Sequence, residues 1–335
     1  MNLKNKILWM RKIVLFVFVL GFLNGCAEQK PEKVYRISIL SGLDYFANTA
    51  IGFKEKMAEL GYVEGKNIIY DLRHTDFDSE AERKILKEFV ADKPDLIVTY
   101  PTEVSRMAKD LAKSKGIPLV FSNANIEGMG LVDSVRAPGG NVTGVRYPGP
   151  DLALKRLEIL LELVPNARRI LVPYQRGYPI VPPQMEVLYP VAKIKGVTLE
   201  ELPSSTAEEL AAILEKRSQL PDAGVDAILG IAEPVMTKPD TFKIVAQFAD
   251  RHGIPHGGDN MSVEGYESLF GVTIRSLEVG KQAAILADKV LRGIPAGTIP
   301  VVSANSYLRI NYRAMKKMNI EPSEGLLSRA DEITR

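Results

Sequence analysis

The sequence predicts an α/β protein built as two Rossmann-like lobes, each a mostly parallel sheet covered by helices. Three observations carry that reading. At 335 residues, 46% hydrophobic and 25% charged, the chain is long enough for two compact units of roughly 100–150 residues each. Strand-like and helix-like segments alternate, which is the signature of a parallel sheet with crossover helices. The alternation then stops at Pro138-Gly139-Gly140-Asn141 and starts again, so two similar units are expected rather than one extended sheet.

The first unit opens with a β-rich run at 34–40 that ends at Ser41-Gly42. Apolar residues at Phe46, Ala50, Phe53, Met57 and Leu60 then recur at helical spacing until Gly61 stops them. A strand over 67–73 follows, then a helix over 79–91 with Ile85, Leu86, Phe89 and Val90 inward. A strand over 95–99, a helix over 102–113 and a strand over 117–121 complete the set. In the second unit, helices are expected over 151–163, 183–195, 206–216 and 238–252, with strands over 169–172, 197–202, 227–230 and 268–272. The helix over 275–291 follows a finished unit and needs another sheet to cover. A strand over 308–311 and a short helix over 312–318 come last.

Charge and cysteine usage exclude several classes. Four of the 43 basic residues (Lys4, Lys6, Arg11 and Lys12) fall in the first 25, and removing them leaves 39 against 41 acidic residues. No basic surplus remains to mark a nucleic-acid surface. The basic start precedes an apolar run at 13–20, too short for a membrane span of about 20 residues, and reads as a signal peptide. Leu23-Asn24-Gly25-Cys26 resembles a bacterial lipobox, which makes Cys26 the expected lipidation site and residues 26–33 a lipidated linker. A plain cleaved leader or an uncleaved anchor are the alternatives.

Several blocks resemble one family. GFKEKMAELGYVEGKNI at 52–68, GIPLVF at 116–121, RAPGGNVTG at 136–144 and LEILLELVPNA at 157–167 are similar to segments of the ABC transporter substrate-binding family that includes tryptophan- and tyrosine-binding lipoproteins. The helix over 280–293, with Pro295-Ala296 and Ile299-Pro300-Val301 after it, resembles that family's closing segment. The resemblance implies a type I periplasmic-binding-protein fold, two lobes joined by a three-strand hinge with a ligand cleft between them. Lobe one would comprise 34–143 plus 274–299 and lobe two 144–273 plus 300–335, with crossings near Thr143, Thr273 and Pro300. The Pro- and Tyr-rich segment 173–183 departs from the family pattern, where a shorter turn is usual.

In open α/β sheets the ligand crevice lies outside the carboxyl ends of the strands. That rule selects the loops 41–45, 99–103 and 122–125 in the first unit and 173–178, 231–235 and 259–260 in the second, with Ser41, Thr99, Thr102, Ser122 and Asn123 as hydrogen-bonding groups and Tyr45, Tyr100 and Tyr174 as apolar walls. Asp44 and Thr102 suit helix N-caps equally well, and Asn123 is as well suited to bonding its own backbone. In the second unit Glu233, Arg176 and Asp259 are the charged candidates, a solvated loop position being the alternative for Arg176 and Glu233. The three histidines, His74, His252 and His256, offer no metal geometry, because Gly253 and Pro255 break the helical spacing of the last two. No nucleophile elbow, Walker loop or zinc-protease helix is present.

The expectation is therefore a monomeric, extracytoplasmic, lipid-anchored solute-binding protein and not an enzyme. It would capture an amino acid or similar small carboxylate by hinge closure and deliver it to an ABC permease with its ATPase. No cofactor or metal is expected, and no nucleic-acid partner. A ligand-sensing lipoprotein that reports to a signalling partner, or an extracytoplasmic hydrolase, are the alternatives.

Overall fold

A computed structural model describes residues 33–42, 46–76, 78–259 and 262–335. The leader, Cys26, Asp44, Tyr45 and Asn260 lie outside them.

The first sheet is built from β1 (Tyr35–Ser41), β2 (Ile68–His74), β3 (Leu96–Tyr100), β4 (Leu119–Ala124) and β5 (Val142–Arg146), joined late in the chain by β13 (Val302–Ser303). Its order is β13-β5-β4-β3-β1-β2, parallel throughout. β3 and β4 are buried along their whole length, as a sheet covered on both faces requires. α1 (Ala47–Glu59) and α9 (Ser276–Leu291) cover one face through Phe53, Met57, Val279, Ala283 and Leu286. α2 (Ser79–Asp92) and α3 (Thr102–Lys113) cover the other through Leu86, Phe89, Val104 and Ala108. The helix that the sequence left in need of a sheet, α9, packs on the first one. Gly280 permits the contact with α1: a Cβ there would stand 2.0 Å from the Thr49 carbonyl oxygen.

The second sheet contains β6 (Arg169–Gln175), β7 (Thr198–Ser204), β8 (Ala227–Leu229) and β9 (His256–Gly257) in the order β7-β6-β8-β9, again parallel. A bridge from Gly258 to Gly271 continues it into β12 (Phe270–Ile274), β14 (Ser306–Asn311) and β15 (Glu332–Thr334). α4 (Gly149–Leu163), α5 (Val181–Lys195), α10 (Tyr312–Lys317) and α11 (Glu324–Arg329) cover one face with Leu157, Leu188, Met315 and Leu326. α6 (Ala207–Arg217) and α8 (Pro239–His252) cover the other with Leu210, Phe242 and Val245. At the start of α6, Thr206 Oγ1 accepts from the Glu209 amide at 3.2 Å while Glu209 accepts from the Ser205 amide at 2.7 Å, a local pairing that fixes where the helix begins.

Some boundaries differ from expectation. The helix expected over 238–252 is α8, starting at Pro239, and it is preceded by a single turn that the sequence reading did not include, α7 (Pro234–Thr237). The chain stays in the first sheet through Arg146, so Thr143 sits inside β5, its Oγ1 donating to the Ile299 carbonyl at 2.8 Å, and does not mark the crossing. Pro300 likewise precedes β13, still in the first sheet, and the third crossing falls between Ser303 and Ser306. Thr273, in β12, lies two residues before the chain enters α9 at Arg275.

Candidate functional site

The carboxyl ends of the two sheets face each other across a cavity of about 370 Å³. From the first unit come Phe46, Pro101, Thr102, Glu103, Asn123 and Asn125. Tyr178, Ile180, Glu233, Lys238 and Asp259 face them from the second unit. Tyr147, Thr273, Ile274 and Ser276, where the chain passes between sheets, complete the wall.

Each polar group owes its place to local chain geometry. Asn123 occupies a bulge where the β4–β5 register shifts between Ser122 and Ala124, and its backbone is left-handed with φ of 51°. A bulge re-aims a side chain, and asparagine tolerates that conformation better than most residues. Thr102 is the first residue of α3 but not its N-cap: its Oγ1 accepts from the Asn125 amide at 3.0 Å and so ties two cavity loops together. Glu103, beside it, lies in the first turn of α3, where the helix dipole favours a carboxylate.

Glu233 caps α7. Its carboxylate accepts from the amides of Gln175 at 2.7 Å, Val235 at 2.9 Å and Met236 at 2.8 Å. Burial lifts its pKa from 4.5 to about 7 against the pull of those amides, and the neighbouring charge of Asp259 adds to the rise. Gln184, fully buried, holds the same loop by exchanging bonds with the Ala232 backbone at 2.9 and 3.1 Å. Asp259 lies 3.7 Å from a guanidinium nitrogen of Arg156, which has no exposed surface. Arg156 also donates to the Val272 carbonyl at 2.6 and 2.9 Å and to the Tyr147 hydroxyl at 3.1 Å. One cation thereby holds β12, the cavity wall at Tyr147 and an acidic group together.

Of the residues selected from sequence, Thr102, Asn123, Glu233, Asp259 and Thr273 meet at this cavity. Others do not. Tyr174 turns away along β6, its hydroxyl bonded to Glu201 on the neighbouring strand, because alternate residues of a strand face opposite sides. Thr99 is sealed beneath α3, where its hydroxyl donates to Ser105 Oγ at 3.0 Å. Ser41 and Ser122 are buried in β1 and β4 without reaching the wall, and Arg176 is spent on an ion pair with Glu209. Tyr100 is 1% exposed and also lies behind the wall. The aromatic groups that do face the cavity, Phe46, Tyr147 and Tyr178, were not singled out for that role; Tyr178 stands at the edge of the selected loop 173–178. Among the described residues no cluster of three or more His, Cys, Asp or Glu could hold a metal ion.

Two α/β units with a cavity between the carboxyl ends of their sheets are the architecture of the type I periplasmic-binding-protein fold. The sequence profile described as ABC transporter substrate binding protein matches residues 36–334, and the chain belongs to that family. It is 26% identical over 305 residues to a tyrosine-binding protein of Clostridioides difficile, covering 89% of this chain and 84% of that one. Among solved structures, it is similar to a domain from Streptococcus pneumoniae in complex with L-Trp, with a TM-score of 0.77, 22% identity, and 90% of this chain and 100% of that chain covered. A conserved domain protein from Vibrio cholerae superposes with a TM-score of 0.76 at 24% identity over 90% and 100% of the two chains. These relatives are binding proteins where their names assign a role, and substrate-binding proteins of ABC importers act outside the cytoplasm.

Proposed function

We propose that this chain is a lipid-anchored solute-binding protein that captures an amino acid, aromatic by preference, between its two units and hands it to an ABC permease. The observation that carries the reading is the composition of the cavity. Phe46, Tyr147, Tyr178 and Ile180 form apolar walls, while Thr102, Asn123, Asn125, Ser276 and the acids Glu103 and Asp259 supply a few polar anchors. Small-ligand sites combine these features at volumes of about 300–1,000 Å³. The starts of α3 and α9, at Thr102 and Ser276, bring the positive ends of two helix dipoles to the wall, suited to a carboxylate. The acidic side chains suit an ammonium group, and the aromatic walls suit a flat side chain. The tyrosine and tryptophan named for two relatives agree with that chemistry.

In this reading the units built around the two sheets are lobes that close on the ligand, near the 34–143 plus 274–299 and 144–273 plus 300–335 division, and the protein works as a monomer tethered through Cys26. Closure follows from differential affinity, since a ligand touching both units favours the state in which both contacts exist. A thermal-shift series of the purified protein with the twenty amino acids, a sugar panel and a panel of carboxylic acids tests the reading. L-tyrosine or L-tryptophan should raise the melting temperature, because a ligand at a hundred times its Kd stabilises by about 2.7 kcal/mol. A shift with a sugar and with no amino acid would overturn it.

A further inference from the structure

Tyr178 and Glu103 come from opposite sides of the cavity. The Tyr178 hydroxyl donates to Glu103 Oε1 at 3.1 Å, joining the loop before α5 in the second unit to the first turn of α3 in the first. Burial first, and then the Glu103 charge, push the Tyr178 phenol well above its ordinary range, so it keeps its proton and stays a donor. The three acids on the wall differ in how they are compensated. Glu233 is committed to three backbone amides, and Asp259 lies beside the guanidinium of Arg156. Among the described residues Glu103 makes no ion pair, and the group bonded to its carboxylate is a neutral phenol. A half-buried carboxylate in that position gains most from a cation.

We propose that Glu103 is the acceptor for the ligand's ammonium group, and that Tyr178 is a latch which occupies Glu103 in the empty cleft and is displaced when ligand enters. The proposal rests on the amino-acid reading above for the ligand, but the latch itself does not. Because the latch stabilises only ligand-free closed states, it opposes binding; any free energy that favours an unliganded state weakens apparent affinity.

Two variants separate the roles. Ligand-free Tyr178→Phe should show a larger radius of gyration than wild type in small-angle scattering, and by titration calorimetry it should bind L-tyrosine more tightly. Glu103→Gln keeps an oxygen that accepts from the Tyr178 hydroxyl and should leave the radius of gyration of the empty protein unchanged, yet it should bind L-tyrosine at least about tenfold more weakly. It should bind 3-(4-hydroxyphenyl)propionate, which lacks the amine, with little change; a purely structural role for Glu103 would weaken both ligands alike. An unchanged radius of gyration in Tyr178→Phe, or L-tyrosine affinity equal to or weaker than wild type, overturns the latch. Equal losses for the two ligands in Glu103→Gln overturn the ammonium site. If wild type binds no amino acid, the amino-acid reading and the ammonium site fall together, while scattering from the empty proteins still decides the latch.

Discussion

Acidification from pH 7 to pH 5 should leave the stability of the second unit nearly unchanged, and replacing His256 by phenylalanine should break that balance. His256 lies in β9 with both ring nitrogens buried and unbonded, its ring 6.0 Å from that of Phe242. Burial lowers its pKa from 6.5 to about 4, with the Asp250 charge a smaller opposing effect. Asp250 from α8, Glu267 from β11 (Tyr266–Glu267) and Lys317 from α10 line the cavity beside it. A depressed folded-state pKa means the unfolded chain binds the proton more readily, so the stability present above pH 6.5 is lost as pH falls toward 4. Between pH 7 and pH 5 this loss is about 2 kcal/mol. Glu233 acts in the opposite direction. Its pKa is raised from 4.5 to about 7, so the folded state binds the proton more tightly and stability is lost as pH rises through 7. The same acidification therefore restores about 2 kcal/mol through Glu233. Phenylalanine at 256 keeps the ring against Phe242 and removes one of the two titrations. The melting temperature of His256→Phe should accordingly rise by about 4–8 °C from pH 7 to pH 5, followed by calorimetry, while wild type stays level. A variant whose profile remains as flat as wild type would refute the opposed pair.

Two further outcomes follow from packing. Arg156→Met leaves the Val272 carbonyl and the Asp259 carboxylate without their buried cation, and should lower stability by about 3–5 kcal/mol in chemical denaturation. Arg156→Lys, with one compact charge in place of a planar fork, should recover only part of that loss. Gly280→Ala drives a Cβ to 2.0 Å from the Thr49 carbonyl oxygen, and a shift of α9 off α1 should cost about 1–3 kcal/mol, read from the same denaturation curves.

The fold was legible because its signals are local and periodic. Strands with an unbroken apolar run such as β3 and amphipathic helices such as α2 carry their signal in a single window, and the restart after Asn141 separated the two units. β5 escaped notice because its five residues include Gly144, which reads as a turn. That glycine is required by contact, since a Cβ there would stand 2.2 Å from the Phe121 carbonyl oxygen, a distance set by the neighbouring strand. β9, the hairpin β10–β11 (Ser262–Val263 and Tyr266–Glu267) and β15 are two or three residues long, below the length at which alternation can be seen. The candidate site was legible by loop and not by residue. The strand-end rule found the loops that hold Glu103, Asn125 and Tyr178, but side-chain direction depends on tertiary detail. Tyr174 and Tyr178 differ by four positions, and only the turn at Arg176-Gly177 sends the second into the cavity. No pattern in the sequence marks Arg156, since an arginine on an amphipathic helix ordinarily faces water, and its burial is visible only once β12 lies across α4.

The place of Arg156 bears on how such a cavity can respond to what it holds. The chain passes between the sheets after β5, after β12 and after β13, and the cavity wall includes Tyr147 from the first passage and Thr273, Ile274 and Ser276 from the second. A ligand at the wall therefore touches the connecting segments as well as the two units. Arg156 bonds Tyr147 and the Val272 carbonyl from within α4, so both of those passages are fastened to the second unit at their cavity ends. Any rotation of the first unit against the second is then taken up beside those anchors, at Ile274-Arg275 and around Tyr147, whose amide also donates to the Ala124 carbonyl of the first sheet at 2.8 Å. Two bonds at Arg146 cross that second boundary or brace it, to Glu127 in the first unit and to Asp151 Oδ2 at 2.8 Å in the second. An exposed pair such as Arg146–Asp151 is worth about 0–1 kcal/mol. Breaking the buried Arg156 cluster costs about 3–5 kcal/mol, so in any such rotation the Arg146–Asp151 contact yields first.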